Sequence, residues 1–93
     1  MLKILRSTKN ESVIFTLTGR IEGEHLTELK RLIGLEARDH SLVLDLKDVT
    51  FVDQSAIRFL ARCEADSIML ENCPAYIREW VVAEKRRNWS RRA

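Results

Sequence analysis

Apolar positions follow two periods along this chain, and each period marks a different kind of element. From Ser12 to Thr18, Val13, Phe15 and Leu17 alternate with Ile14, Thr16 and Thr18, the two-residue repeat of a pleated strand. Leu2 to Ser7 reads as a second strand, and the turn-prone Lys9-Asn10-Glu11 between them predicts an antiparallel hairpin. The period then lengthens. After a loop bracketed by Gly19 and Gly23, Leu26, Leu29, Leu32 and Ile33 recur at spacings of three and four with charged residues between them. That spacing predicts an amphipathic helix of about four turns, with Gly34 near its end.

Strand character returns from Ser41 to Lys47, where Leu42, Val43, Leu44 and Leu46 form a run too apolar for a solvated face and too short for a typical helix. A short loop is expected next. Asp53 then stands where an N-cap would, ahead of Ile57, Leu60 and Ala61, predicting a helix from about Gln54 to Glu64. Ser67 to Glu71 is one more short apolar run. Pro74 suits the first turn of a final helix capped by Asn72 or Cys73, with Ile77, Trp80, Val81 and Glu84 as its apolar edge and Arg78, Glu79 and Lys85 toward water. Strand, helix, strand, helix, strand implies parallel crossovers with helices covering a sheet. The expected architecture is α/β: a small mixed sheet of about four strands with helices mainly on one face.

Composition narrows the function classes. Ninety-three residues fit one domain, and 45% hydrophobic with 32% charged residues suits a folded unit and argues against disorder. No apolar run approaches the roughly 18 residues needed to span a bilayer, and polar sequence follows Met1-Leu2-Lys3-Ile4, so a cytoplasmic location is expected. The net charge of +2 hides an asymmetry: residues 1–84 hold 11 basic and 14 acidic side chains, residues 85–93 five basic and none acidic. The chain therefore divides into a domain over residues 1–84 and a basic tail over 85–93. Cys63 and Cys73, ten positions apart, lack the paired spacing of zinc or redox dithiol sites and read as reduced packing residues or a surface thiol.

Several of these segments carry a family resemblance. Leu44-Asp45-Leu46, then Val49-Thr50-Phe51-Val52-Asp53, then Gln54-Ser55-Ala56 resemble the STAS domain family, of the anti-sigma-factor-antagonist type. The Thr18-Gly19-Arg20-Ile21 step and the Glu71-Asn72-Cys73-Pro74 junction are similar to the corresponding junctions of that family. The resemblance covers nearly the whole chain, although its specific part is the fifteen or so residues around Asp53. It implies a bacterial, non-enzymatic module acting through protein–protein interaction, switched in the family by phosphorylation of a Ser or Thr after the Asp. Here that slot holds Gln54 and the following Gly slot holds Ala56.

Asp53 at a helix start is a structural cap worth about 0.5–2 kcal/mol, and the resemblance adds a part in shaping the partner surface. Gln54 neither accepts a phosphate nor imitates one, so the module is expected to stay in an unmodified-like form. Ser55 is the neighbouring modification candidate, but one residue further along a helix turns its hydroxyl by about 100°. The expected partner surface is Asp53, Gln54, Ser55 and Arg58, with Arg62 one turn on. The resemblance implies a histidine-kinase-like anti-sigma factor or another regulatory-complex component as partner, and stand-alone domains of this sort also serve as accessory subunits of membrane transporters. Lys85, Arg86, Arg87, Trp89, Arg91 and Arg92 form a second candidate, for nucleic acid or an anionic surface, against a solvated helix extension. His25 and His40 lack ligand or triad spacing, the glycines form no phosphate loop, and Asp45, Asp48 and Asp53 look like an acidic cluster, but alternation along their strand and loop does not establish that they converge on one metal. No enzyme activity, cofactor or metal is expected.

Overall fold

In the computed structural model, which describes residues 2–36 and 40–92 with side chains as far as Arg87, Asn10 and Glu11 both hold positive φ, 49° and 69°. That backbone makes the two-residue hairpin turn whose twist matches that of its strands, and it folds β1 (Leu2–Lys9) antiparallel onto β2 (Ser12–Ile21), pairing Lys9 with Ser12 and Leu2 with Gly19. A 3-10 turn at Gly23–His25 leads into α1 (Leu26–Glu36), whose 11 residues make three turns, one fewer than its apolar spacing suggested. The remaining elements are β3 (Ser41–Val52), α2 (Gln54–Ala65), β4 (Met69–Glu71) and α3 (Ala75–Arg92). β2, β3 and β4 run parallel, completing a four-stranded mixed sheet in the order β1-β2-β3-β4.

The expected loop after Lys47 is strand. Leu42, Leu44 and Leu46 are buried at a spacing of two, but the next buried positions are Val49 and Val52, each three residues on. Two register shifts against β2 account for this: Thr16 pairs with Asp45 but Thr18 with Asp48, and Gly19 pairs with Val49 but Arg20 with Phe51. Each inserts one extra β3 residue, and a bulge of that kind re-aims the side chains that follow while the strand continues. Gly19 supplies the positive φ of 101° at the second. Phe51 is thereby turned outward, with the Arg20 guanidinium 4.4 Å from its ring centroid.

The core lies between one sheet face and the helices. Val13, Phe15, Leu17, Leu44 and Leu46 meet Leu29 of α1, Ile57 and Leu60 of α2, and Ile77 and Val81 of α3, all buried. Each such side chain contributes roughly 1.5–3 kcal/mol over its exposed state. Trp80 does not join them: it is 53% exposed, because a residue three positions from Ile77 lies about 60° round the helix from it. The stripe that turns inward is Ile77, Val81 and Glu84. The expected division at residue 84 falls within α3, whose backbone is helical to Arg92. Among the described residues no helix is long and apolar enough to cross a membrane.

Candidate functional site

β3 ends by burying Val52 and leaving Asp53 in extended conformation at the rim of the sheet, with φ −94° and ψ 179°. The Asp53 backbone N–H donates to the Ile21 carbonyl at 3.2 Å, which joins the ends of β2 and β3. Its carboxylate then serves two backbone donors: Oδ1 accepts from Ala56 N at 2.8 Å and Oδ2 accepts from Gly23 N at 2.8 Å. The first bond caps α2 and the second fastens the turn before α1 to the same carboxylate. Charged acceptors make the stronger hydrogen bonds, so Asp53 organises the loops around the start of α2. Gly23 was not anticipated in this role; it brings its backbone close to Asp53 and Ser55, and a Cβ there would stand 3.6 Å from Ser55 Oγ.

From that cap, α2 presents Gln54, Ser55, Arg58 and Arg62 to solvent along one stripe, while Ala56, Ile57, Phe59, Leu60, Ala61 and Cys63 are buried. The spacings of three and four that bury one set expose the other. The structure therefore brings the five expected surface residues onto one rim. The rim borders an open surface groove that runs from α1 across α2 to the Glu84–Arg87 segment of α3, with Leu26, Ile33 and Phe59 among its apolar lining. Lys30 of α1 and Arg62 of α2 also line it, and among the described residues neither is paired with a carboxylate.

The α3 side of the rim holds a residue the sequence reading placed on an apolar edge. Glu84 is 5% exposed, the one buried charged side chain among the described residues. Gln54 Nε2 donates to its Oε1 at 3.4 Å, Arg58 Nε lies 4.0 Å from Oε2, and the Arg87 guanidinium lies 3.6 Å from Oε1. An acid on the buried stripe with Ile77 and Val81 was the available signal, since such a charge persists only when partnered. At the other end of α2, Glu64 accepts from Arg78 at 2.8 Å and from Lys85 at 3.3 Å. The Arg78 hydrogen bond is the main reason that its carboxyl is held below the usual range.

The basic residues that were grouped as a tail thus divide. Lys85 and Arg87 turn to Glu64 and Glu84, Arg86 is exposed, and the side chains of Trp89, Arg91 and Arg92 lie outside the described residues. Asp45 accepts from Lys47 N and Asn72 Nδ2, and it does not converge with Asp48 and Asp53 on one ion position. Glu22, Glu24 and His25 do converge, but His25 Nδ1 accepts the Glu22 N–H at 3.2 Å. In the neutral ring the proton then sits on Nε2, so the cluster serves as a cap at the 3-10 turn. His40 Nδ1 lies 3.5 Å from Glu36. Burial pushes the Cys63 thiol up to about 12 and raises that of Cys73, the reverse of nucleophile activation.

Residues 3–65 match the family model for the STAS domain. No curated protein matches the chain. Among solved structures, the chain is similar to Mglu, at 26% identity and a TM-score of 0.55 over 75% of this chain and 19% of that one. It is also similar to an uncharacterized protein of the DUF3478 family with a SpoIIAA-like fold from Shewanella loihica PV-4, at 12% identity and a TM-score of 0.53 over 70% of this chain and 56% of the other. The chain thus spans about a fifth of the first and just over half of the second, and the second likeness concerns the fold alone.

Proposed function

The chain belongs to the STAS domain family, with a SpoIIAA-like fold, and from that premise we propose that it is a non-enzymatic regulatory binding module of the anti-sigma-factor-antagonist type. Its partner surface is Asp53, Gln54, Ser55, Arg58 and Arg62, extended across the groove to Lys30. The observation that carries this reading is the rim itself: a buried α2 face behind it, a rigid Asp53 cap at its head and an exposed polar stripe in front. Gln54 offers no hydroxyl at the head of that stripe, so the surface is read constitutively in its unmodified form. Lys30 and Arg62, unpaired with a carboxylate among the described residues, favour a partner with an acidic face. A histidine-kinase-like anti-sigma factor or another component of a bacterial regulatory complex fits that description. The second reading, nucleic-acid binding through residues 85–93, is less favoured because Lys85 and Arg87 are already turned to acids of the fold.

Partner capture from native-host lysate, with identification of what is retained, separates the readings. Arg58→Glu with Arg62→Glu should weaken retention of the wild type's partner at least tenfold, about 1.4 kcal/mol. Arg86, Arg91 and Arg92 replaced together by Gln should leave it unchanged. The opposite pattern, with nucleic acid recovered by the wild type, moves the function to the tail.

A further inference from the structure

The described helices pack on one face of the sheet and leave its other face open. Side chains alternate along each strand, so the residues between Val13, Phe15 and Leu17 turn away from the helices, and strand pairing sets them in rows. Ser7, Ile14, Val43 and Met69 form one row across the four strands, and Leu5, Thr16, Asp45 and Glu71 form the next. Leu5 is 59% and Met69 60% exposed, and Ile14 and Val43 between them are partly exposed. With Leu5 diagonal to Ile14, these four make an apolar band from one edge of the sheet to the other. Sheets built of parallel strands ordinarily have both faces covered, and β2, β3 and β4 are parallel.

The charges on this face are sorted by strand. β1, at one edge, contributes Lys3 and Lys9, while Asp45 and Asp48 of β3 and Glu71 of β4 hold the other side, where the bulge adds an exposed Lys47. Ion pairs among the described residues, such as Arg6–Glu36 and Arg78–Glu64, join other side chains and include none of these. We propose that the open sheet face is a self-association surface whose occupant is a second copy of this chain, packed face to face. A two-fold axis along the strands lays β1 of each copy over β3 and β4 of the other, lysines toward acids, and Ile14 over Val43. A two-fold axis across the strands would instead stack β1 on β1, and centred antiparallel pairing of two β1 edges would set Lys3 against Lys9; both bring like charges together, which disfavours association. Strands about 4.8 Å apart and roughly 26 Å long give about 500 Å² per copy, at the lower limit for a specific interface, so the dimer is reversible. The rim on α2 lies on the opposite side of the sheet and stays free in both copies, and the proposal does not depend on it.

Sedimentation velocity of the full chain over a concentration series tests this without any other protein. The wild type should pass from monomer to dimer between about 10 and 500 µM, as an interface of this size allows. Lys3→Glu with Lys9→Glu, and separately Asp48→Lys with Glu71→Lys, should each weaken self-association at least about tenfold, since each variant sets like charges face to face. All four positions are exposed, so the variants keep the fold. Mixed together, the two variants should regain the wild type's affinity as a mixed dimer, because opposite charges then meet in both halves of the interface. A dimer that both variants leave unchanged is built on other contacts, and one that is lost instead with Arg58→Glu and Arg62→Glu is built through α2; either result overturns the proposal. A wild type that stays monomeric at about 1 mM assigns the face to another occupant and overturns it too.

Discussion

At the N-terminal end of α2 the tie to α3 runs through Glu84, and at the C-terminal end it runs through Glu64, yet the two ties are built differently. Glu64 meets its cations at 2.8 and 3.3 Å on the flank of the helix pair, the ordinary geometry of partly exposed ion pairs. Glu84 is nearly inaccessible and, among the described residues, meets three partners at 3.4–4.0 Å. A short pair near solvent is replaceable because water takes over when a partner leaves. A buried charge with long contacts has no such substitute, and the identity of each group around it matters. The end of α2 that holds the candidate partner surface is therefore the end where electrostatics constrain sequence.

The comparison breaks most visibly at Glu84. Glu84→Lys would place an ammonium beside Arg58 and Arg87 in a poorly solvated position and should lower stability by about 3 kcal/mol, within the range seen when buried pairs are disrupted; chemical denaturation measures it. Arg78→Ala, which cuts the short tie, should remove only about 0.5–1 kcal/mol in the same assay. Equal losses for the two would erase the distinction between the ends.

The smallest effect lies in the pH dependence. The Glu64 carboxyl is held below its ordinary value of 4.5, first by the Arg78 hydrogen bond. A carboxyl depressed in the folded state contributes stability that is complete above its unfolded value and is lost as pH falls through the folded value. Wild-type stability should therefore decline more steeply below about pH 4.5 than that of Arg78→Ala, and the two curves should run parallel above it. Parallel curves throughout would remove Glu64 from the acid response.

Much of this was legible in the chain. The alternation of Val13, Phe15 and Leu17 specified a strand with one buried face, and Asp53 ahead of Ile57 and Leu60 specified a capped helix. Both signals are local and depend on nearest-neighbour periodicity, which a sequence displays directly. The segment from Asp48 to Val52 was misread as loop because its buried residues lie three apart. The two-residue period fails wherever a bulge inserts a residue, and bulges arise from pairing with another strand. Trp80 was likewise placed inside from its character, although its angle on the helix leaves it half exposed beside Gln54 and Glu84.

By itself, the sequence determined the element types, the cap at Asp53, the exposed stripe from Gln54 to Arg62 and the absence of an acceptor hydroxyl at position 54. These follow from side-chain character at short spacing. Only the tertiary structure decided that Gly23 shares the Asp53 carboxylate across 30 residues and that Glu84, also 30 residues from Gln54, faces its amide. Those pairings depend on how a sheet and two helices pack, and packing brings together positions whose separation along the chain carries no periodic trace.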